Sequence, residues 1–121
     1  MASKSELLHQ YHHENRPWGN FQRFTANQPS TVKLITVNEN EAFSLQYHSK
    51  RDEFWHILSG SGIVTVGADE FPAKKGDEFF IPAKTNHRAR GGVGGLLFLE
   101  IGFGEYDEED IVRLEDNYGR T

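Results

Sequence analysis

Residues Asn40 to Gly60 read NEAFSLQYHSKRDEFWHILSG, and this stretch decides the fold. Phe43–His48 is a short run rich in apolar and aromatic side chains, and Glu53–Leu58 is a second, so each is predicted as a β-strand. Gln46 and His48 lie two apart, and because side chains alternate across a strand they point to one face. Glu53 enters from the second strand. His87 arrives later in the chain, after the turn-like segment Ile81-Pro82-Ala83-Lys84-Thr85-Asn86. Two imidazoles, a carboxylate and an amide oxygen make Gln46, His48, Glu53 and His87 a candidate ligand set for one divalent transition metal: zinc, manganese, iron, cobalt or nickel. On spacing alone, the commoner reading of such histidines is structural burial. His56 has the opposite parity from Glu53 and is expected to face away from the set.

Working outward, the same texture recurs at Thr31–Val37, Gly62–Val66, Asp77–Ile81 and Leu96–Ile101. Turn-like groups separate these runs at Asn38-Glu39-Asn40, Ser59-Gly60-Ser61, Gly67-Ala68-Asp69, Lys75-Gly76 and Gly91-Gly92. Six short strands at regular spacing predict an all-β antiparallel sandwich or barrel. At the N-terminus, Ser3 and Glu6 fit a capping box, and Leu7, Leu8 and Tyr11 share a helical face, which predicts a short helix or arm over residues 4–13. His9, His12 and His13 would then lie on one side of that helix, and a solvated polar face accounts for them. The tail from Glu105 carries five carboxylates up to Asp110, followed by Ile111, Val112 and Leu114; it reads as a terminal helix or strand laid across the barrel.

The composition narrows the chemistry. A chain of 121 residues is one domain in size, with residues 1–15 as the arm and 16–121 as the barrel. There is no cysteine, so disulfides, thiolate metal sites and cysteine nucleophiles are excluded and any metal is held by nitrogen and oxygen. A formal charge of −5 repels polyanions, so nucleic acid is not an expected partner. No apolar stretch approaches the roughly 20 residues that span a bilayer, and none resembles a signal-peptide core, so the expected location is cytoplasmic, away from membranes. Neither GxGxxG nor GxxxxGK[ST] occurs, which removes the common nucleotide-phosphate loops.

Two motifs carry a family resemblance. Asn40, Gln46, His48, Glu53 and Gly60 fall at the spacing of the first cupin motif, with Gln46 in place of the first histidine, and Gly76, Pro82, Lys84 and His87 fall at that of the second. Asn40 and Lys84 replace glycines. A narrower resemblance covers residues 16–120: RPWG at Arg16–Gly19 with Phe21, VKLITV at Val32–Val37, SLQYH at Ser44–His48, Arg51 with Glu53 and Trp55, IPAKTNHR at Ile81–Arg88, and EDIVRLEDNYGR at Glu109–Arg120. The chain thereby resembles the type II phosphomannose isomerase cupin, usually the C-terminal domain of a bifunctional enzyme that also has mannose-1-phosphate guanylyltransferase activity. The family's histidine run starting at position 48 here reads His48-Ser49-Lys50.

The resemblance implies a cupin, that is, a double-stranded β-helix or jelly-roll barrel, pairing as a homodimer. It implies a metal-dependent isomerase that interconverts mannose 6-phosphate and fructose 6-phosphate through an enediol or enediolate. Such chemistry needs a cation for the developing oxyanions, a base for the C2 proton and positive groups for the phosphate. Lys50, which shares parity with Gln46 and His48 if the strand continues, and Arg88 are the catalytic candidates. Lys33, Arg51 and Arg88 are the candidates for gripping the phosphate of a small phosphorylated sugar. Arg16, Arg113 and Arg120 belong to the terminal motifs and are expected to close the barrel mouth or pair with Asp110 and Asp116. Trp18 and Trp55 either line a sugar pocket or pack in the core, and Phe54, Phe79, Phe80 and Phe98 read as packing. Two other functions fit the same residues: a non-catalytic cupin that holds a sugar phosphate or sugar nucleotide, and a non-haem metal oxygenase built on two histidines and a carboxylate.

Overall fold

The computed structural model describes residues 4–120. One helical turn, α1 (Lys4–Leu7), precedes nine strands: β1 (His12–Arg16), β2 (Gly19–Arg23), β3 (Ser30–Val37), β4 (Leu45–Tyr47), β5 (Arg51–Val66), β6 (Asp69–Lys74), β7 (Glu78–Ile81), β8 (His87–Gly104) and β9 (Val112–Glu115). β1 and β2 form a separate hairpin, and the other seven strands form one antiparallel sheet system. Two long strands organise it. β8 pairs with β5 along most of its length, and each also holds shorter partners: β6 and β7 on β5, β3 and β4 on β8.

The long strands correct the expected turns. Ser59-Gly60-Ser61 and Gly91-Gly92 do not end strands; they lie inside β5 and β8, where the register shifts between Ile57 and Ser59 and between Gly60 and Gly62. Gly60 has a φ of 84°, and a Cβ there would strike the Gly95 carbonyl oxygen, so only glycine lets the paired strands bend so closely. A bend within the ladder keeps backbone hydrogen bonds that a turn would give up to water. β6 lies outside the six predicted strands and contains Pro72; as an edge strand pairing only with β5 it tolerates the missing donor.

The N-terminal expectation also changes. Ser3 of the expected capping box lies outside the described residues; among those described, helix is confined to Lys4–Leu7, and His12 and His13 lie in β1, so His9, His12 and His13 share no helical face. Five residue pairs, from His12 with Arg23 to Arg16 with Gly19, close this hairpin around Pro17 and Trp18. Its ladder outcompetes a marginal ten-residue helix. Leu8 is nonetheless buried. It packs with Phe54, Ile101 and Phe103 on the outer face of the sheet, joined by Tyr11, Phe24, Phe80 and Leu99.

The barrel interior holds Val37, Trp55, Ile57, Val64, Ala73, Ile81, Ala89, Leu96 and Phe98. Strand alternation thus sends Trp55 inward and Phe54 outward, as Phe79 and Phe80 divide in β7.

Candidate metal centre

Three cross-strand rows aim side chains into one region of the interior. Lys33 pairs with Glu100 and Glu100 with Trp55. Glu53 pairs with Gly102 in the next row. Gln46 pairs with His87 on one side and Arg113 on the other. Paired residues share a face, so the ladders gather residues as far apart in sequence as Lys33 and Arg113. At Gly102 a side chain would press on Arg51 Cδ, and its absence leaves room for the guanidinium.

The turn that delivers His87 is tied down at several points. Lys84 sits at φ 66°, the left-handed conformation expected of the glycine it replaces, and Asn40 does the same at 63°. The Lys84 amide donates to the His48 carbonyl (2.6 Å), and the Ala83 amide donates to Asp52 Oδ1 (2.8 Å). These bonds offset the cost of about 1–2 kcal/mol for a non-glycine residue there.

His48, Glu53 and His87 are all buried, and one nitrogen or oxygen from each lies within 4.8 Å of the others. Glu53 Oε2 is 3.4 Å from His48 Nε2, and Glu53 Oε1 is 3.4 Å from His87 Nε2. Backbone carbonyls set the tautomers. His48 Nδ1 faces the Asp110 carbonyl at 2.7 Å and His87 Nδ1 faces the Thr85 carbonyl at 3.0 Å; a carbonyl only accepts, so both protons reside on Nδ1. Both Nε2 lone pairs therefore converge beside a carboxylate. Burial, against the pull of Glu53, holds both imidazoles below their ordinary pKa, in the neutral form that ligates metal. His87 Nε2 is buried with no hydrogen-bond partner. An unsatisfied lone pair facing a second imidazole and a carboxylate fits a divalent transition metal.

Gln46 stands at the edge of this group. Its Oε1 accepts from Ser44 Oγ (2.6 Å), while its Nε2 lies 3.4 Å from His48 Nε2. The amide must rotate by half a turn to present its oxygen to an ion.

A cleft of about 210 Å³ reaches His48 and Glu53 of the triad and is lined besides by Lys33, Ile35, Phe43, Gln46, Arg51, Glu100, Arg113 and Arg120, with His87 buried behind it. Of the phosphate candidates, Lys33 and Arg51 line this cleft. Arg88 does not: it donates to the Phe43 and Glu115 carbonyls and lines a different hollow with Arg90 and Glu70. Lys50 is outside as well, exposed and 3.8 Å from Glu105. His56 bonds Glu78 (2.8 Å), away from the cleft. Trp18 is 72% exposed at the hairpin tip, whereas Trp55 is fully buried.

Sequence reasoning missed Glu100 as a site residue, and it named Arg113 and Arg120 without assigning them to a pocket. Trp55 Nε1–H is shared between Glu53 Oε1 (3.3 Å) and Glu100 Oε2 (3.2 Å), which links the two carboxylates. Burial, with the nearby Glu53 charge, pushes the Glu100 carboxyl up to about 7. Burial works to lower the Lys33 pKa, but Tyr106 and the carboxylates of Glu100 and Glu108 outweigh it and hold the ammonium above its usual value. The Lys33 ammonium and the Arg51 guanidinium each lie 4.7 Å from the Tyr106 ring centroid. The signal for Arg113 was its strand register opposite Gln46, which no local pattern reveals.

Asp110 anchors the C-terminal segment to the site. Its carboxylate accepts from the Ser49 and Lys50 amides, both at 2.9 Å, while its carbonyl orients His48. Those two amide bonds keep its pKa low. Arg120 pairs with Asp116 as expected (2.8 Å).

Residues 3–116 match the family described as Mannose-6-phosphate isomerase C-terminal. The chain belongs to this family. Among its relatives, the xanthan biosynthesis protein XanB of Xanthomonas campestris pv. campestris is 39% identical over 108 residues, which cover 88% of this chain and 23% of XanB. A mannose-1-phosphate guanylyltransferase of Escherichia coli is 40% identical over 107 residues, again 87% of this chain and 23% of that protein. The chain thus spans about a quarter of the length of these curated relatives. The fold is that of the cupins. Streptomyces Pac13, described as a nucleoside dehydratase, superposes with a TM-score of 0.65 at 14% identity, covering 90% of this chain and 88% of its own. KdgF from Halomonas sp. gives 0.63 at 15% identity, covering 70% and 77%. Among the described residues, no helix is long and apolar enough to cross a membrane.

Proposed function

We propose that the cleft binds one divalent transition metal through His48, Glu53 and His87 and isomerises a phosphorylated sugar, mannose 6-phosphate to fructose 6-phosphate. The observation that carries this reading is the unpartnered Nε2 of His87, aimed with His48 Nε2 at a buried carboxylate in a chain of this family. The chemistry such an ion supplies is Lewis-acid stabilisation of negative charge on the sugar oxygens at C1 and C2.

The chain's own residues account for the rest. Glu100 is the carboxylate in the cleft outside the ligand triad, and it replaces Lys50 as the base. It takes the proton from C2 and returns it to C1, while the O2 hydroxyl proton passes to O1, so the aldose and ketose differ by proton positions alone. Trp55 holds one Glu100 oxygen and leaves the other for substrate. Lys33, Arg113 and Arg120 meet the phosphate in place of Arg88.

Elemental analysis of the purified chain tests the metal, and proton exchange at C2 of mannose 6-phosphate with conversion to fructose 6-phosphate tests the reaction. His87→Ala is expected to weaken metal binding at least about a hundredfold. Unchanged metal content after chelation and reloading would reject the triad. Metal and sugar phosphate bound without conversion would leave a sugar-phosphate-binding module.

A further inference from the structure

Arg51 lines the cleft beside His48 and Glu53, and it competes for the ligand atoms. Its Nε donates to Glu53 Oε2 (3.1 Å), and its Nη2 donates to His48 Nε2 (3.2 Å). A neutral imidazole protonated on Nδ1 has a single lone pair, on Nε2. That one lone pair accepts the Arg51 N–H or binds a metal, never both. The third guanidinium nitrogen, Nη1, is buried without a hydrogen-bond partner, and so is Nε of Arg113, which lines the same cleft. Arg51 is 7% exposed.

When His48 turns its lone pair to a metal, Arg51 Nη2 loses its acceptor and joins Nη1 as an unpaired donor. A buried guanidinium with two free N–H groups is a fork matched to two oxygens of a phosphate or sulfate. Arg113 Nε, Lys33 and Arg120 surround the same space, and Tyr106 covers the outer side of the fork.

We infer that metal loading converts Arg51 from a hydrogen-bond partner of the metal ligands into a bidentate receptor for a tetrahedral oxyanion, so that metal and oxyanion bind with positive coupling. The inference rests on the proposed metal site and deepens the substrate class: the enzyme would favour the phosphate ester only in its metal-loaded form. Because linkage is reciprocal, the oxyanion tightens the metal by the same factor that the metal tightens the oxyanion.

Calorimetric titration of the metal-depleted full chain with zinc, in sodium sulfate and in sodium chloride of matched ionic strength, measures the coupling. In the parent, sulfate is expected to raise zinc affinity about tenfold or more, the worth of one charge-assisted hydrogen bond. Arg51→Met is expected to bind zinc more tightly than the parent in chloride and to show no sulfate effect. Arg51→Lys, which keeps the charge but not the fork, is expected to retain less than half of the coupling on a logarithmic scale. If Arg51→Met does not fold, Arg51→Lys, which keeps the buried charge, still decides, because an undiminished sulfate effect in that variant rejects the role of Arg51. Zinc binding that is indifferent to sulfate in the parent overturns the coupling and leaves the metal site standing. No zinc binding under either condition overturns both. A sulfate effect undiminished in the two variants assigns the anion to the metal itself and rejects the role of Arg51.

Discussion

The barrel interior contains two neighbouring clusters of opposite character. One is apolar: Ile57, Val64, Ala73, Ala89, Leu96 and Phe98 are each at most 4% exposed. The other gathers Ser44, His48, Arg51, Glu53, His87 and Glu100, which are the buried polar and charged residues among those described. Both draw on β5 and β8, and Trp55 joins them. Its ring lies 4.5 Å from Phe98 on one side and edge-on to His87 at 5.7 Å on the other, while its N–H serves both glutamates. The apolar cluster supplies folding free energy at about 25 cal/mol per Å² removed from water. The polar cluster spends some of it: it desolvates two carboxylates and a guanidinium and leaves His87 Nε2 and Arg51 Nη1 without partners. Stability and chemistry are separated in space yet share strands, so each half can be perturbed by itself.

The largest effect is expected from the apolar half. Phe98→Ala removes the ring packed against Trp55 and should cost about 3–5 kcal/mol in urea-induced unfolding, while the folded fraction is expected to bind metal as the parent does. A loss below about 1 kcal/mol would mean that the two halves do not divide stability in this way.

Glu100→Gln sharpens the comparison through pH. The folded carboxyl is raised to about 7 from an ordinary value near 4.5, so Glu100 favours folding below pH 4.5, and that contribution is lost as pH rises through about 7. The glutamine variant has no such dependence. In metal-free protein its stability should match the parent's near pH 4.5 and exceed it by up to about 3 kcal/mol at pH 8. Parallel stability curves for the two proteins between these pH values would contradict the burial of a charge here.

The smallest effect is expected outside both halves. Lys50→Ala removes an exposed ion pair at 3.8 Å, worth at most about 1 kcal/mol. Metal affinity and isomerisation should change less than about twofold. A tenfold loss of turnover with unchanged metal binding would return Lys50 to the role of base in place of Glu100.

Local pattern sufficed where the physics is local. Alternation put Gln46 and His48 on one face, turned His56 away, and marked β3, β4 and β7 within two residues of their observed ends. His48, Glu53 and His87 were legible as a set through the spacing of the two cupin motifs, since strand pattern alone reads such histidines as buried structural residues. The hairpin at His12–Arg23 was not readable, since helix and strand compete nearly evenly over so few residues and pairing decides. Likewise, Gly60 and Gly91 look like turn residues in sequence, and only the close approach of Gly95 and Asn38 shows that they are bends inside long strands.

By itself, then, the sequence determined an all-β chain of short strands, because alternation and turn chemistry act over a few residues, and its motifs carried the resemblance to the cupins together with Gln46, His48, Glu53 and His87 as the candidate ligand set. Only the tertiary structure decided which cations and which second carboxylate face that set. Arg113 reaches the cleft through its register beside Gln46, Glu100 through its pairing with Lys33 and Trp55, and Arg88 is turned outward by bonds to the Phe43 and Glu115 carbonyls. Register between strands distant in the chain is set by the closing of the whole barrel, where a slip of one residue moves every side chain to the opposite face.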